Sequence, residues 1–304
     1  MSAIRLGTRA STLATTQSEM VARLLRSEGL DVDLTTITTH GDTSTASLAA
    51  MGGIGVFASA IRATLLKGEA DIAVHSFKDL PTGRPLGLAI GAVPARADPR
   101  DALVARDGLT LHDLPQEASV GTGSPRRAAQ LLAVRPDLTI VDIRGNVDTR
   151  LGRVKGLGHY AKGGGKEDLD AVVLAASGLA RLGHSGTVTE FLDPSVVLPA
   201  PAQGALAVEC RTADSRHGKL AKALARIDDR RTRLAATAER AVLSHLEAGC
   251  AAPIGALAQL KPVSGSSPQV LTLDVVVATV DGSRIIRELS LIHISEPTRL
   301  LSIS

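Results

Sequence analysis

The stretch GVFASAIRATLLKGEADIAVHSFKDLP, residues 55–81, decides the fold. Its first part reads as a helix. It runs directly into a strand, DIAVHSFKDLP, whose carboxyl end carries His75, Ser76, Lys78 and Asp79. Upstream, AIRLG (3–7) is a short strand, and STLATTQSEMVARLLRSEG is a helix with Ser11 or Thr12 as N-cap and Gly29 as stop. DVDLTTITT then alternates as a strand does. This β-α-β-α-β order predicts an α/β sheet with right-handed crossovers.

Downstream the pattern restarts near ARADPRDALVARDG (95–108). ASVGT is a strand end, and GSPRRAAQLLAV opens a helix with Ser124 at the N-cap and Pro125 in the first turn. LTIVDIRG is the next strand, KGLGHYAKGGGKED (155–168) a glycine-rich surface loop, and LDAVVLAASGLARLG a strand with its helix. In SVVLPAPAQGALAVECR a fresh strand, GALAVEC, can return the chain to the first unit. From about residue 230 follow a helix, RTRLAATAERAVLSHLE, a turn bearing Cys250, and alternating strands that predict an α+β unit with an antiparallel sheet. The tail SLIHISEPTRLLSIS (290–304) breaks the period and resembles a translated adapter sequence; it is set aside, and the native C-terminus is expected to differ.

A chain of 304 residues exceeds what one core usually organises, so two or three domains are expected. The apolar content of 44% and mean hydropathy of +0.15 supply those cores and exclude a disordered chain. Aromatics make up 1% with no Trp, which argues against base-stacking platforms for single-stranded nucleic acid. The cations are 26 Arg against 8 Lys; this composition arises from a GC-rich genome or from bidentate recognition of carboxylates and phosphates. Two cysteines, Cys210 and Cys250, make no disulfide framework and no metal-type spacing. With no signal peptide and no apolar run of membrane-spanning length, the chain reads as soluble and cytoplasmic.

Four clusters fall where α/β folds bind ligands, beyond the carboxyl ends of strands. GTRAS supplies Arg9 and Ser11; HSFKDLP supplies Ser76, Lys78 and Asp79. GTGSPRR sets Thr122, Ser124, Arg126 and Arg127 at a helix N-terminus, where free N–H groups and the helix dipole favour anions. RGNVDTR supplies Arg144 and Arg150. Any one of these arginines alone reads as a solvated surface charge. Recurring in successive units, they point to a polyanion held between two domains. GTGS is a weak phosphate signal, and the absence of GxxxxGK[ST] argues against a P-loop NTPase. Asp79 reads equally as a turn cap or a catalytic acid. His75 alternates to the other face of its strand and reads as a packed histidine, and Cys210 as a buried one. Cys250 is either a small buried hydrophobe or a reactive anchor.

RLGTRAS, DIAVHSFKDLP, ADPRDAL, VGTGSPRR, RGNVDTRL, AASGLARLG, LPAPAQGALAVECR and AERAVLSHLEAGCAAPIG cover nearly all of residues 4–289 in one order. Together they closely resemble the porphobilinogen deaminase (hydroxymethylbilane synthase) family. The resemblance implies two periplasmic-binding-protein-like α/β lobes and a C-terminal α+β domain with a small antiparallel sheet. The domains would be 1–96 plus 202–225, 97–201, and 226–289. It implies a cytoplasmic, monomeric transferase of tetrapyrrole and heme biosynthesis, with no nucleic-acid or membrane partner and no metal. The substrate would be porphobilinogen, four units of which are condensed head to tail with loss of ammonia and released by hydrolysis as hydroxymethylbilane. The cofactor would be a dipyrromethane joined by a thioether to Cys250.

The resemblance further assigns Asp79 as the catalytic carboxylate, aimed at pyrrole N–H groups and stabilising the positive charge left when ammonia departs. Ser76, Lys78, Thr122, Ser124, Arg126 and Arg127 would hold the cofactor. Arg9, Ser11, Arg144, Arg150, Arg181 and Gln203 would hold the incoming ring. Departures from the family are a lysine-free loop before GVF, Phe77 in place of Met or Leu, Pro125 in place of the more frequent Leu, and the longer insert at 155–168, to which no function is assigned. A non-catalytic bilobed anion binder is the competing reading, and a nucleic-acid binder a distant third.

Overall fold

A computed structural model describes residues 3–37, 56–83, 85–249, 252–260 and 269–294. Cys250 and the loop before GVF lie outside the described residues. The first sheet begins with β1 (Ile4–Thr8), α1 (Thr12–Ser27) and β2 (Val32–Thr36). Ser11 caps α1 as read, its hydroxyl accepting from the Ala14 amide at 3.3 Å. α2 (Val56–Leu66) leads into β3 (Ile72–Ser76), a 3₁₀ turn over Phe77–Asp79, and β4 (Leu88–Ala92).

The chain then crosses to a second sheet. This comprises β5 (Asp101–Ala105), β6 (Ser119–Gly121), α3 (Pro125–Val134), β7 (Thr139–Val141), α4 (Val147–Leu151), β8 (Ala171–Ala175), α5 (Ala176–Arg181) and β9 (Glu190–Phe191). It crosses back as β10 (Leu206–Arg211), which pairs antiparallel with both β3 and β4. The first sheet is therefore ordered β2-β1-β3-β10-β4 and the second β7-β6-β8-β5-β9. The two repeat one topology. Each has three parallel strands, then an antiparallel strand arriving from the other sheet, then a last strand. The expected α/β class holds, and the crossing strands are what bind the two halves to each other.

The rest is α6 (Gly218–Ile227), which packs on β4, and α7 (Arg230–His245), which lies on a three-stranded antiparallel sheet of β11 (Ile254–Leu260), β12 (Gln269–Ala278) and β13 (Ile285–Ile294). The expected C-terminal antiparallel sheet is present. β13 runs five residues into the segment set aside by the sequence reading: Ser290–Ile294 pair with Gln269–Leu273. Residues 295–304 lie outside the described residues.

Apolar clusters cover both faces of the second sheet, and every residue of β5 is buried. Each fully buried Leu, Ile or Val there contributes about 1.5–3 kcal/mol. Against that background one residue of β5 stands out, because Asp101 is wholly buried.

Candidate active site

Described loops that follow strands of the two sheets approach the crossing segments: Lys78, after β3, reaches Gln203, and Arg181, after β8 and α5, reaches Gly204. Ser76 ends β3 and exchanges hydrogen bonds with the buried Gln17 of α1, with its Oγ 2.9 Å from Gln17 Nε2. Two residues on, the Lys78 ammonium lies 3.2 Å from Gln203 Oε1. Burial pulls its pKa down to about 8, opposed by the Asp79 charge and reinforced by Arg127 of the second sheet. Lys78 is thus where the two sheets meet electrostatically. Asp79 closes the 3₁₀ turn and is exposed.

Opposite, Thr122 and Ser124 follow β6. Thr122 Oγ1 accepts from the Ser124 amide at 3.2 Å, while Ser124 makes no side-chain cap to α3. Pro125 at the first position has no N–H to offer, as the sequence suggests. The first turn of α3 therefore leaves its remaining amides open for an anion. Arg126 and Arg127 point inward from this turn onto Asp101. Arg126 Nη1 lies 2.7 Å from Oδ2, and Arg127 Nη2 2.8 Å from Oδ1. Arg126 also donates to Leu198 O at 2.6 Å and Arg127 to Val173 O at 3.0 Å. Burial alone would raise the Asp101 carboxyl; the two guanidinium charges overcome it and hold the pKa far below the usual carboxylate range. Two cations on one carboxylate leave a net positive charge in a buried place.

Gln203, expected to hold the incoming ring, is engaged by protein groups in this structure. It is fully buried, and its Nε2 donates to Asp101 Oδ1 and Pro99 O, both at 2.8 Å, while its Oε1 faces Lys78. Its amide thus bridges Lys78 and Asp101. Arg127 is likewise engaged at all three nitrogens by Asp101 and Val173 O.

Arg144 precedes the one-turn helix α4, and Arg150 lies within it. Arg144 is exposed, 3.6 Å from Asp142. Arg150 is half-buried; its Nε donates to Gly145 O at 2.9 Å, and its pKa is lowered by burial and then by the Arg127 charge. Arg181, at the end of α5, donates to Gly204 O at 2.7 Å, but its Nε is buried without a partner. Burial takes this guanidinium to about 10, still charged at neutral pH. Ser11 is held in its capping role, and Arg9 lies beside it on the same turn. α1, which carries this turn, packs against α5.

Several residues that matter here escaped the sequence reading. Asp101 is one; Arg96, Glu239 and Arg240 are others. Arg96 pairs with the buried Glu239 of α7 through two bonds of 2.6 and 2.9 Å. Glu239 also accepts from the amides of Ala202 and Ala258. Arg240, the next residue, donates to the carbonyls of Phe77, Leu80 and Pro81 at 2.7–2.8 Å and lies 4.5 Å over the Phe77 ring. So the helix leading to Cys250 grips both the crossing segment and the Asp79 turn. His75 is inward as expected, 3.2 Å from the buried Glu209, and Cys210 is buried. Among the described residues no metal-binding cluster occurs.

The strand ends thus bring together a buried, cation-rich cluster with an unpartnered guanidinium nitrogen, a donor set that suits a multiply charged anion, and the exposed Asp79 stands on a turn beside it. The family model described as porphobilinogen deaminase, dipyromethane cofactor binding domain, matches residues 4–219, and that of the porphobilinogen deaminase C-terminal domain matches 233–300. A porphobilinogen deaminase from Cutibacterium acnes is 96% identical over 288 residues, covering 95% of this chain and 86% of its own length. One from Micrococcus luteus is 53% identical, with 97% and 83% covered. Among solved structures, apo YehZ from Escherichia coli is 13% identical with a TM-score of 0.43, covering 82% of this chain and 95% of that one. That score carries no argument. The chain belongs to the porphobilinogen deaminase family. Its substrate is porphobilinogen, its cofactor a dipyrromethane, and its place is in tetrapyrrole biosynthesis.

Proposed function

We propose that the strand-end cluster holds the carboxylates of cofactor and substrate while Asp79 serves the condensation. The observation that carries this reading is the excess of buried cation around Asp101, with Arg181 Nε buried and unpartnered. A buried donor without an acceptor costs about 1–3 kcal/mol, which a bound carboxylate would relieve. Each pyrrole of this substrate class carries two carboxylates, so the donor set fits the chemistry.

Thr122, Ser124, Ser76, Lys78 and Arg126, with the open amides of α3, would hold the dipyrromethane, with Cys250 as its anchor. When bound, the dipyrromethane supplies the nucleophilic ring carbon. Arg9, Arg144, Arg150 and Arg181 hold the porphobilinogen carboxylates, with Ser11 fixing the Arg9 turn. Arg127 and Gln203 act from behind, keeping Asp101 and Lys78 in place. Asp79 accepts the pyrrole N–H. As the C–N bond breaks and the nitrogen leaves protonated as ammonia, the ring nitrogen's electron pair fills the deficit and Asp79 stabilises the charge. A held dipyrromethane would supply the electron pair for the C–C bond to the methylene, and Asp79 would take the proton that its ring carbon sheds. Four such condensations followed by hydrolysis make the chain a transferase that yields hydroxymethylbilane.

We further infer three domains, 1–96 with 202–225, 97–201, and 226–289, a division supported by the three sheets. The chain acts as a cytoplasmic monomer without nucleic-acid or membrane partners. Among the described residues no helix is long and apolar enough to cross a membrane.

Intact mass tests the reading directly. The purified chain is heavier than its sequence by two pyrrole units, and Cys250→Ser loses this mass. An unmodified mass in the folded parent refutes the anchor. Asp79→Ala folds and loses turnover by a factor of at least ~10², the usual scale for a general acid–base or charge-stabilising group; full turnover in that variant refutes its role.

A further inference from the structure

The glycine-rich insert, to which the sequence assigns no function, and His184, which follows α5, converge on one place. His184 Nε2 lies 2.7 Å from Asp148 Oδ1. Asp148 sits on α4, two residues before Arg150. His184 stands three residues past Arg181, and its amide donates to Leu179 O at 2.8 Å, so it is tied to the end of α5. The pair therefore links the element carrying Arg150 to the element carrying Arg181. Tyr160, from the 3₁₀ turn Gly158–Tyr160 of the insert, sets its ring edge-on to His184 at 5.1 Å and 87°, with His159 against its other side at 4.4 Å. That turn packs on α4.

α4 is five residues long, and a single helical turn cannot fix its own orientation. Its local ties are the Asn146 cap, which accepts from the Thr149 amide at 2.8 Å, and the Arg150–Gly145 bond. Both lie inside residues 145–150 and move with them. The Asp148–His184 pair is a hydrogen bond that joins α4 to a different strand–helix unit. Arg150 is half-buried near the end of this turn, where burial and the Arg127 and Arg144 charges, opposed by Asp142, lower its pKa.

We propose that His184, paired with Asp148 and braced by Tyr160, is a positioning residue. It sets Arg150 against Arg181 so that the two guanidinium groups meet the carboxylates of one incoming porphobilinogen. This rests on the reading of Arg150 and Arg181 as substrate ligands. The insert then acts as the outer wall of this brace.

Steady-state kinetics of the cofactor-loaded enzyme with porphobilinogen test it. His184→Leu raises KM about fivefold, the worth of one polar tie, with kcat within about twofold and an unchanged intact mass. His184→Gln, whose amide can donate to Asp148 from the place of Nε2, returns KM to within about twofold of the parent. Arg150→Leu raises KM further, and adding His184→Leu to it changes nothing more. An unchanged KM in His184→Leu, or a raised KM that His184→Gln fails to restore, overturns the proposal. An unchanged KM in Arg150→Leu instead overturns the underlying ligand assignment, whatever His184 does. If His184→Leu does not fold, Asp148→Ala against Asp148→Asn makes the same comparison, with the same outcomes deciding.

Discussion

Asp101 shows how a single residue can organise the site without touching a ligand. It opens a strand whose other members are all apolar and buried, and it receives Arg126, Arg127 and Gln203 together. Asp101→Asn leaves two guanidinium groups buried with no counter-charge. Breaking a buried pair from one side costs about 3–5 kcal/mol. Denaturant unfolding measures it, and a loss under ~1 kcal/mol would show that the arginines relax to solvent instead. The residue was within the ADPRDAL motif, but an isolated acid gives no periodic signal. The usable clue was its place at the head of DALVA, an otherwise apolar strand. Lys78 makes the second residue-scale prediction. Its ammonium is lost as pH rises through about 8, so loading of the cofactor-free chain slows above that pH. Lys78→Arg keeps its charge and moves the decline to higher pH. An unmoved pH profile would place the titration elsewhere.

Among the elements, α7 does the most that its sequence leaves unsaid. RTRLAATAERAVLSHLE reads as a helix, and it is one over Arg230–His245. Nothing in its pattern tells that Glu239 faces the crossing segment or that the adjacent Arg240 turns to the Asp79 loop. A helix pattern reports which face is apolar; it does not report which partner lies there. Arg240 ties three carbonyls spanning Phe77 to Pro81, so it holds the turn on which Asp79 stands. Arg240→Met keeps the stem packed on Phe77 and removes the donors. Its expected effect is a fall in kcat of about tenfold or more, as positional slack in a catalytic group commonly gives, with the cofactor mass retained. Undiminished kcat would mean the turn holds itself. The strand-end motifs were legible for the opposite reason. Loops after parallel strands carry their chemistry in contiguous letters, as HSFKD and GTGSPRR do, so spacing alone placed them together. The protein partners of Gln203 were not legible, because its letters lie at the crossing, where burial, invisible in sequence, decides what its amide meets.

At the scale of the molecule, the repeated sheet order could not be read from the chain, since β5 and β10 join sheets on the far side of a crossing and only three-dimensional pairing reveals it. The alternation of strands and helices was enough for the class. The crossing segments lie side by side, with the Ala97 amide 3.3 Å from Gly204 O, and Gly204 sits at φ +86°, where a Cβ would come within 2.6 Å of Ala97 O. Ion pairs then fasten each part. Asp71 of the first sheet would be raised by burial, but Arg5 and Arg211 bring it to about 2. Asp137, on the second, is brought to about 2 by its bonds from Arg135. Asp101 and Asp170 are held lower still. Each of these carboxyls has its folded pKa below the unfolded value near 3.9. Above about pH 4 both states are ionised and the full stabilisation is present. As pH falls from there toward 2, the unfolded chain takes up protons that the folded chain refuses, and stability drops. Thermal unfolding followed from pH 6 down to pH 2 is therefore flat at first and falls steeply below about 4. A decline already complete by pH 5 would mean that these carboxyls do not carry the acid sensitivity. Because the depressed carboxyls are spread over both sheets, Asp71→Asn and Asp137→Asn each flatten only part of the fall, and the remainder belongs to Asp101 and Asp170.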